Sequence, residues 1–279
     1  MGNRILIQKA SGELVPFSAE KLATSLTRVG ASDDLIQLVV DDIVSWLTEG
    51  VHTRKIYARA FSLLRKYKRS AAARYSLKNA IMDLGPSGYP FEHFIGAVFK
   101  AQGFNVEVGQ EVEGMCVKHE VDVIATNHHH QHLVECKFYN SPGKYASVQV
   151  PLYIRSRVND IVMKRQSQPQ YDGFEFHGWV VTNTRFTADA LAFGQCSGLN
   201  LLSWDYPDNN NLKQIVEEKH LFPITALTLL TKGEKQKLLS DGIILCQHLA
   251  DDPDLLDALQ LSLPKKRKVM MEVKDLGNR

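Results

Sequence analysis

The chain has 279 residues, of which 44% are hydrophobic and 23% charged, with a net charge of +2. This is the composition of an ordinary folded protein, and no run of about 18 apolar residues is present to span a bilayer, so no membrane association is expected. At roughly 150 residues per domain, the length suggests two domains and a smaller appendage.

The opening MGNRILIQKASGE reaches charge and a turn before any apolar stretch accumulates, so it does not read as a secretory signal, and a cytoplasmic location is expected. ILIQK and ELVPF flank a Ser-Gly turn and predict a hairpin. Ser18 then has the character of a cap for a helix that stops at Gly30. Three more helical patterns follow near 33–48, 53–68 and 70–83, with Leu35, Leu38, Val39, Ile43 and Trp46 at helical spacing. Residues 50–82 carry nine Lys or Arg and no Asp or Glu, a distribution that calls for an anionic partner. Residues 1–85 are thus expected to form a small α-rich domain, ended by the Gly- and Pro-dense DLGPSGYP.

From residue 90 to 206 helical and extended patterns alternate. A helix in FEHFIGAVFKAQG precedes strands in FNVEV, VDVIAT and HLVECKF, and a helical region covers about 145–168. FHGWVVTNT, FTADALAFGQCSG and LNLLSW then make a strand–helix–strand unit that places parallel strands side by side. Residues 207–279 turn polar and then give short helices, predicting a helical C-terminal appendage. Within it LTLLTKGEKQKLLSDGIILCQHL is loosely similar to helix-hairpin-helix DNA-binding elements but lacks their Gly-x-Gly, so an ordinary pair of packed helices fits as well. PKKRKV at 264–269 looks like a short nuclear-import signal, and equally like a basic cluster for phosphate. Cys116, Cys136, Cys196 and Cys246 lie far apart without a CxxC pair, which fits neither a zinc site nor a disulfide framework.

The chemistry concentrates in VDVIAT and HLVECKF. Glu135 and Lys137 are two apart on one strand, so they emerge on one face, while Cys136 points the other way. Asp122 stands on the preceding strand. An acid and a lysine among apolar neighbours point to hard oxygen ligands for a divalent metal, with a cation to offset the charge of a phosphoryl transition state; a surface ion pair is the alternative. Glu120 shares the strand face of Asp122, as a second acid or a solvated neighbour. The run NHHHQH at 127–132 is rich in metal-binding side chains, yet consecutive turn residues do not converge on one ion, and a polar loop is expected there.

Helix, Asp122 on a strand, hairpin, then Glu135-x-Lys137 resembles the PD-(D/E)xK nucleases, and within them the Mrr-type restriction endonuclease domain, over 90–206. The resemblance implies an α/β restriction-endonuclease-like core in which Asp122 and Glu135 bind Mg²⁺ or Mn²⁺ and Lys137 orients water or stabilises the transition state. Glu92 matches an acid that family members aim at the metal from the first helix, although it also suits a helix N-terminus. Gln149 and Tyr153 resemble the QxxxY motif of RecB-like relatives, although Pro151 suggests that the helix begins only there.

Residues 1–85 resemble the ATP-cone, a nucleotide-binding regulatory module, in I-x-K-x-x-G, PFSAEKL, GVHTRKI and AAARYSLKNA. The resemblance implies that Lys9, Lys21, Thr53 and Lys78 contact the phosphates of ATP or dATP and that Ile7 and Leu22 flank the adenine. No P-loop exists in the chain to provide such contacts. A basic helical domain that binds the DNA backbone, through Arg65, Lys66, Lys68 and Arg69, is the other reading. Taken together, the expectation is a metal-dependent DNA endonuclease of restriction or defence type, regulated by ATP or dATP and acting as a homo-oligomer, since cutting two strands calls for two sites. The alternative is a nucleotide-sensing DNA-binding regulator that keeps an inactive nuclease fold.

Overall fold

The computed structural model describes residues 5–9 and 11–277. The chain divides into two compact units. Among the described residues, those up to 77, 226–231 and those from 260 onward make the first, and 78–225 and 232–259 the second. Residues 207–279, expected as one appendage, are shared between them.

In the first unit β1 (Leu6–Gln8) and β2 (Leu14–Pro16) form the expected antiparallel hairpin. A third strand not foreseen, β3 (Val51–His52), adds to the other edge of β1 in parallel. Helices α1 (Ala19–Arg28), α2 (Asp33–Trp46) and α3 (Thr53–Tyr67) follow the predicted spans, and α4 (Arg69–Tyr75) covers the first part of the fourth. The Ser18 hydroxyl accepts from the Lys21 N–H at 3.2 Å, satisfying one of the donors left open at the start of α1. Helical spacing turns Leu22 and Leu26 of α1, Leu35, Val39 and Ile43 of α2, and Ile56, Ala60 and Leu64 of α3 into one buried cluster.

The helical pattern expected over 70–83 is interrupted at Ser76. Its second half is α5 (Leu77–Met82), at which the second unit begins. Then come α6 (Tyr89–Lys100), β4 (Asn105–Glu113), β5 (Lys118–Asn127) and β6 (His130–Lys137), the last three forming an antiparallel meander. β6 starts at His130, two residues before the expected strand, because His130 and Gln131 continue the ladder against Asn127 and Thr126. After the short β7 (Tyr145–Ala146), α7 (Gln149–Gln166) crosses over to β8 (Glu175–Thr182), which lies parallel to β6. α7 begins at Gln149 and not at Pro151, since a proline in a first turn removes only an N–H that has no helical partner. β9 (Arg185–Phe186) pairs with β7, and α8 (Ala188–Ser197), stopped by Gly198 at φ 72°, leads to β10 (Asn200–Leu202), parallel to β8. The five-stranded order is β10-β8-β6-β5-β4.

α6 buries Phe91, Phe94, Ile95 and Val98, a helical stripe against the meander, while Ile154, Val158 and Ile161 of α7 pack with Ile124, Leu133 and Val180 of the sheet. α9 (Leu212–Glu218), α10 (Lys232–Ser240) and α11 (Cys246–Asp251) complete the second unit. The chain then returns to the first, where α12 (Leu263–Gly277) packs on α4, and PKKRKV becomes its first turns, with Val269 buried. No helix among the described residues is long and apolar enough to cross a membrane.

Candidate nuclease site

The antiparallel register of β5 and β6 pairs Val123 with Val134, which sets Asp122 beside the Glu135–Cys136 segment at the end of the ladder. The Asp122 carboxylate accepts the Cys136 backbone N–H at 2.6 Å, so a strand edge that has run out of partners holds the acid in place. Glu135 sits on the face covered by α7, Cys136 is buried on the other, and Lys137 is exposed at the strand end. Glu92, in the first turn of α6, completes the group.

These carboxylates lie within electrostatic reach of one another. Glu92 is pushed up to about 7, by burial first and then by the charges of Asp122, Glu120 and Glu135. Burial also raises Asp122, against the pull of the Cys136 N–H and of Arg157. Glu135 is raised by burial and by Asp122, with Arg157 and Lys137 acting the other way. Glu120 is exposed and contributes its charge to the cluster. Lys137 makes no ion pair among the described residues, yet its ammonium is felt by both Asp122 and Glu135.

Sequence reasoning missed Arg157. It lies on α7, 22 residues beyond Glu135, and its Nη1 donates to a Glu135 carboxylate oxygen at 2.6 Å and to the Glu120 carbonyl at 3.0 Å. Its other terminal nitrogen donates to the Tyr153 hydroxyl at 2.8 Å, and the guanidinium stacks 4.8 Å from that ring. The available signal was the four-residue repeat Gln149, Tyr153, Arg157, which sets all three on one helix face. Tyr153 thus reaches the carboxylates through Arg157. Gln149 is exposed one turn earlier, and among the described residues no hydrogen bond joins it to them.

The nucleotide-contact candidates fall in two places. In the first unit, Lys9, Lys21 and Thr53 line a cleft of about 890 Å³ together with Ile7, Leu22 and Tyr57, and Lys9 is held by Glu13 at 2.9 Å. Lys78 belongs instead to the second unit, where its ammonium sits 5.8 Å from the Trp204 ring centre. A second cleft of the first unit, about 570 Å³, is lined by Lys66, Lys68, Arg69 and Lys268 among others.

The histidine run is divided by the turn. His128 takes φ 48°, while His130 and His132 are strand residues facing Glu175 and His177 across the parallel β6–β8 pair. The expectation of a polar loop holds for the turn alone.

A mixed sheet with an acid at the end of one strand, Glu-x-Lys at the end of the next, and helices α6 and α7 carrying further charged groups to them defines a restriction-endonuclease-like domain. Residues 85–206 match the restriction endonuclease family of the Mrr catalytic type, and 222–276 match the AF1548-like C-terminal family. An uncharacterized protein of Archaeoglobus fulgidus is 30% identical over 178 residues, covering 63% of this chain and 96% of its own length, and this chain belongs to the same family. The crystal structure of AF1548, a protein of unknown function, is similar with a TM-score of 0.55 at 29% identity, over 68% of this chain and 99% of that one.

Proposed function

We propose that this protein is a metal-dependent DNA endonuclease of restriction or defence type. The observation that carries the reading is the grouping of Glu92, Asp122 and Glu135, three carboxylates that burial drives upward, with Asp122 also raising both Glu92 and Glu135. Clustered hard oxygen donors fit Mg²⁺ or Mn²⁺, with Asp122 and Glu135 as the ligands and Glu92 as a third acid at the same place. When bound, such an ion supplies Lewis-acid polarisation of the phosphate and of a water molecule. Lys137, without an ion pair among the described residues, sets a positive charge where a pentacoordinate phosphate gathers negative charge. Gln149, Tyr153 and Arg157 give α7 a polar face toward the same phosphate, with Gln149 exposed one turn before Tyr153.

The DNA partner is supported by the basic stretch 50–82 and by the cleft that includes Lys66, Lys68, Arg69 and Lys268. Cleavage of both strands would require a homo-oligomer with two sites. We further propose that the first unit is an ATP-cone that takes ATP or dATP. Its cleft of about 890 Å³ offers Lys9, Lys21 and Thr53 to the phosphates and Ile7 and Leu22 to the base. Lys78 has no part in that cleft.

Methylated and unmethylated plasmid incubated with the full-length protein and Mg²⁺, with and without ATP, tests the proposal. Cutting that disappears on chelation and in Asp122→Ala, Glu135→Ala and Lys137→Ala is expected. Equal cutting by wild type and all three variants, or tight DNA binding with no cutting under Mg²⁺ or Mn²⁺, would overturn it, and the second outcome would favour a DNA-binding regulator.

A further inference from the structure

The parallel register of β6 and β8 sets His130 opposite Glu175 and His132 opposite His177. Alternation keeps these four side chains on one face of the sheet, opposite the face that carries Glu135. His130 is also five residues back along β6 from Glu135, roughly 17 Å at the usual strand rise. The cluster therefore stands apart from the nuclease carboxylates.

Within it, Glu175 is the focus. Its Oε2 lies 3.2 Å from His130 Nδ1 and 3.8 Å from His177 Nε2, and the two imidazole rings lie 28° from parallel with centres 5.9 Å apart. One donor atom from each of the three side chains lies within 4.8 Å of the others. Ligand atoms about 2.0–2.2 Å from a tetrahedral ion stand roughly 3.4 Å from one another, so small side-chain rotations close the set. The backbone beneath is fixed: the Glu175 N–H donates to the His129 carbonyl at 2.7 Å, tying the start of β8 to the hairpin turn.

His132 is adjacent but excluded. Trp179 Nε1 donates to its Nδ1 at 3.0 Å, which leaves the ring proton on Nε2 and no lone pair for an ion. Two imidazoles and one carboxylate remain, with the solvent side open for a water molecule. That donor set suits Zn²⁺, whereas Mg²⁺ and Ca²⁺ prefer oxygen donors alone.

We infer that His130, Glu175 and His177 form a second metal site, selective for Zn²⁺ over Mg²⁺, that clips the β5–β6 hairpin to the start of β8. The function of such an ion is structural, since it faces solvent away from Asp122 and Glu135.

The test compares full-length, tag-free, metal-stripped wild type with His130→Ala/His177→Ala and with Glu175→Gln, titrating Zn²⁺ by calorimetry and Co²⁺ by its visible absorption. All three positions are partly or fully exposed, so circular dichroism should show the fold retained. Wild type is expected to bind one equivalent more than the double variant, with at least a tenfold weaker constant for that equivalent in Glu175→Gln, and Zn²⁺ should raise the melting temperature of wild type more than that of the double variant. Equal stoichiometry in wild type and the double variant, or no binding of Zn²⁺ to wild type, would overturn the inference. Zn²⁺ held elsewhere, for example by the exposed Cys116 or Cys196, would appear as binding common to both proteins.

Discussion

Arg157 offers a direct measure of how the carboxylate cluster is held. Its ion pair with Glu135 is largely shielded, with side chains 17% and 18% exposed. Removing one member of a fully buried pair costs about 3–5 kcal/mol, and an exposed pair is worth about 0–1 kcal/mol. Arg157→Ala also loses the stacking on Tyr153 and leaves Glu135 beside Asp122 with only Lys137 in opposition. A loss of about 2–3 kcal/mol is therefore expected, read as the shift in urea midpoint in the presence of chelator. On the proposed function a divalent cation supplies the missing positive charge, so millimolar Mg²⁺ should stabilise Arg157→Ala more than wild type and narrow the gap. The reasoning is refuted if the variant matches wild type in chelator, or if the gap is the same with and without Mg²⁺.

Three further outcomes follow from the same geometry. Gly178 lies under α7, where an added Cβ would stand 2.6 Å from Leu199 Cδ2 and 3.0 Å from Val158 Cγ2, so Gly178→Val should cost about 1–3 kcal/mol in thermal or urea unfolding. Asp160 accepts from His119 Nε2 at 2.8 Å and from the Cys116 and Val117 N–H groups, which hold its carboxyl at about 2. Its folded value lies below the ordinary one, so its stabilisation is complete above about pH 4 and fades as pH falls through about 2; Asp160→Asn should be less stable than wild type at pH 7, with the difference shrinking toward pH 2, and a constant difference would contradict this. Lys9→Ala/Lys21→Ala should weaken ATP or dATP binding at least tenfold by calorimetry if the cleft of the first unit holds the nucleotide, and unchanged affinity would place the nucleotide elsewhere.

What could be read from the sequence was whatever depends on neighbours in the chain. The hairpin, the capped α1 and the spacing of Leu35, Val39 and Ile43 are local, and so is the alternation that puts Glu135 and Lys137 on one strand face. Arg157 and the trio His130, Glu175 and His177 depend on the crossover through α7, which decides what β6 meets 22 to 47 residues later. α12 shows the same limit: its periodic Val269, Val273 and Leu276 declare a buried face, but only the fold shows that α4 covers it, with Arg74 donating to the Leu276 carbonyl.

The acids that the fold shields wholly or in part differ in a way that bears on function. Glu272, only 2% exposed on α12, accepts the N–H groups of Thr228 and Leu229 at 2.8 and 3.3 Å, so its charge is met from within the fold. Asp160 is met in the same way, by two backbone donors and an imidazole. Asp122 has one backbone donor, Glu135 one shared guanidinium, and Glu92 feels the charges of three other acids. Folding gains nothing from placing such groups together, since each costs desolvation and repels the next. Glu272 and Asp160 are thus explained by the fold alone, whereas Glu92, Asp122 and Glu135 sit near one another with only Arg157 and Lys137 in opposition, so on the proposed function this cluster, and not Glu272 or Asp160, is where a divalent cation would add the positive charge that the chain supplies in part.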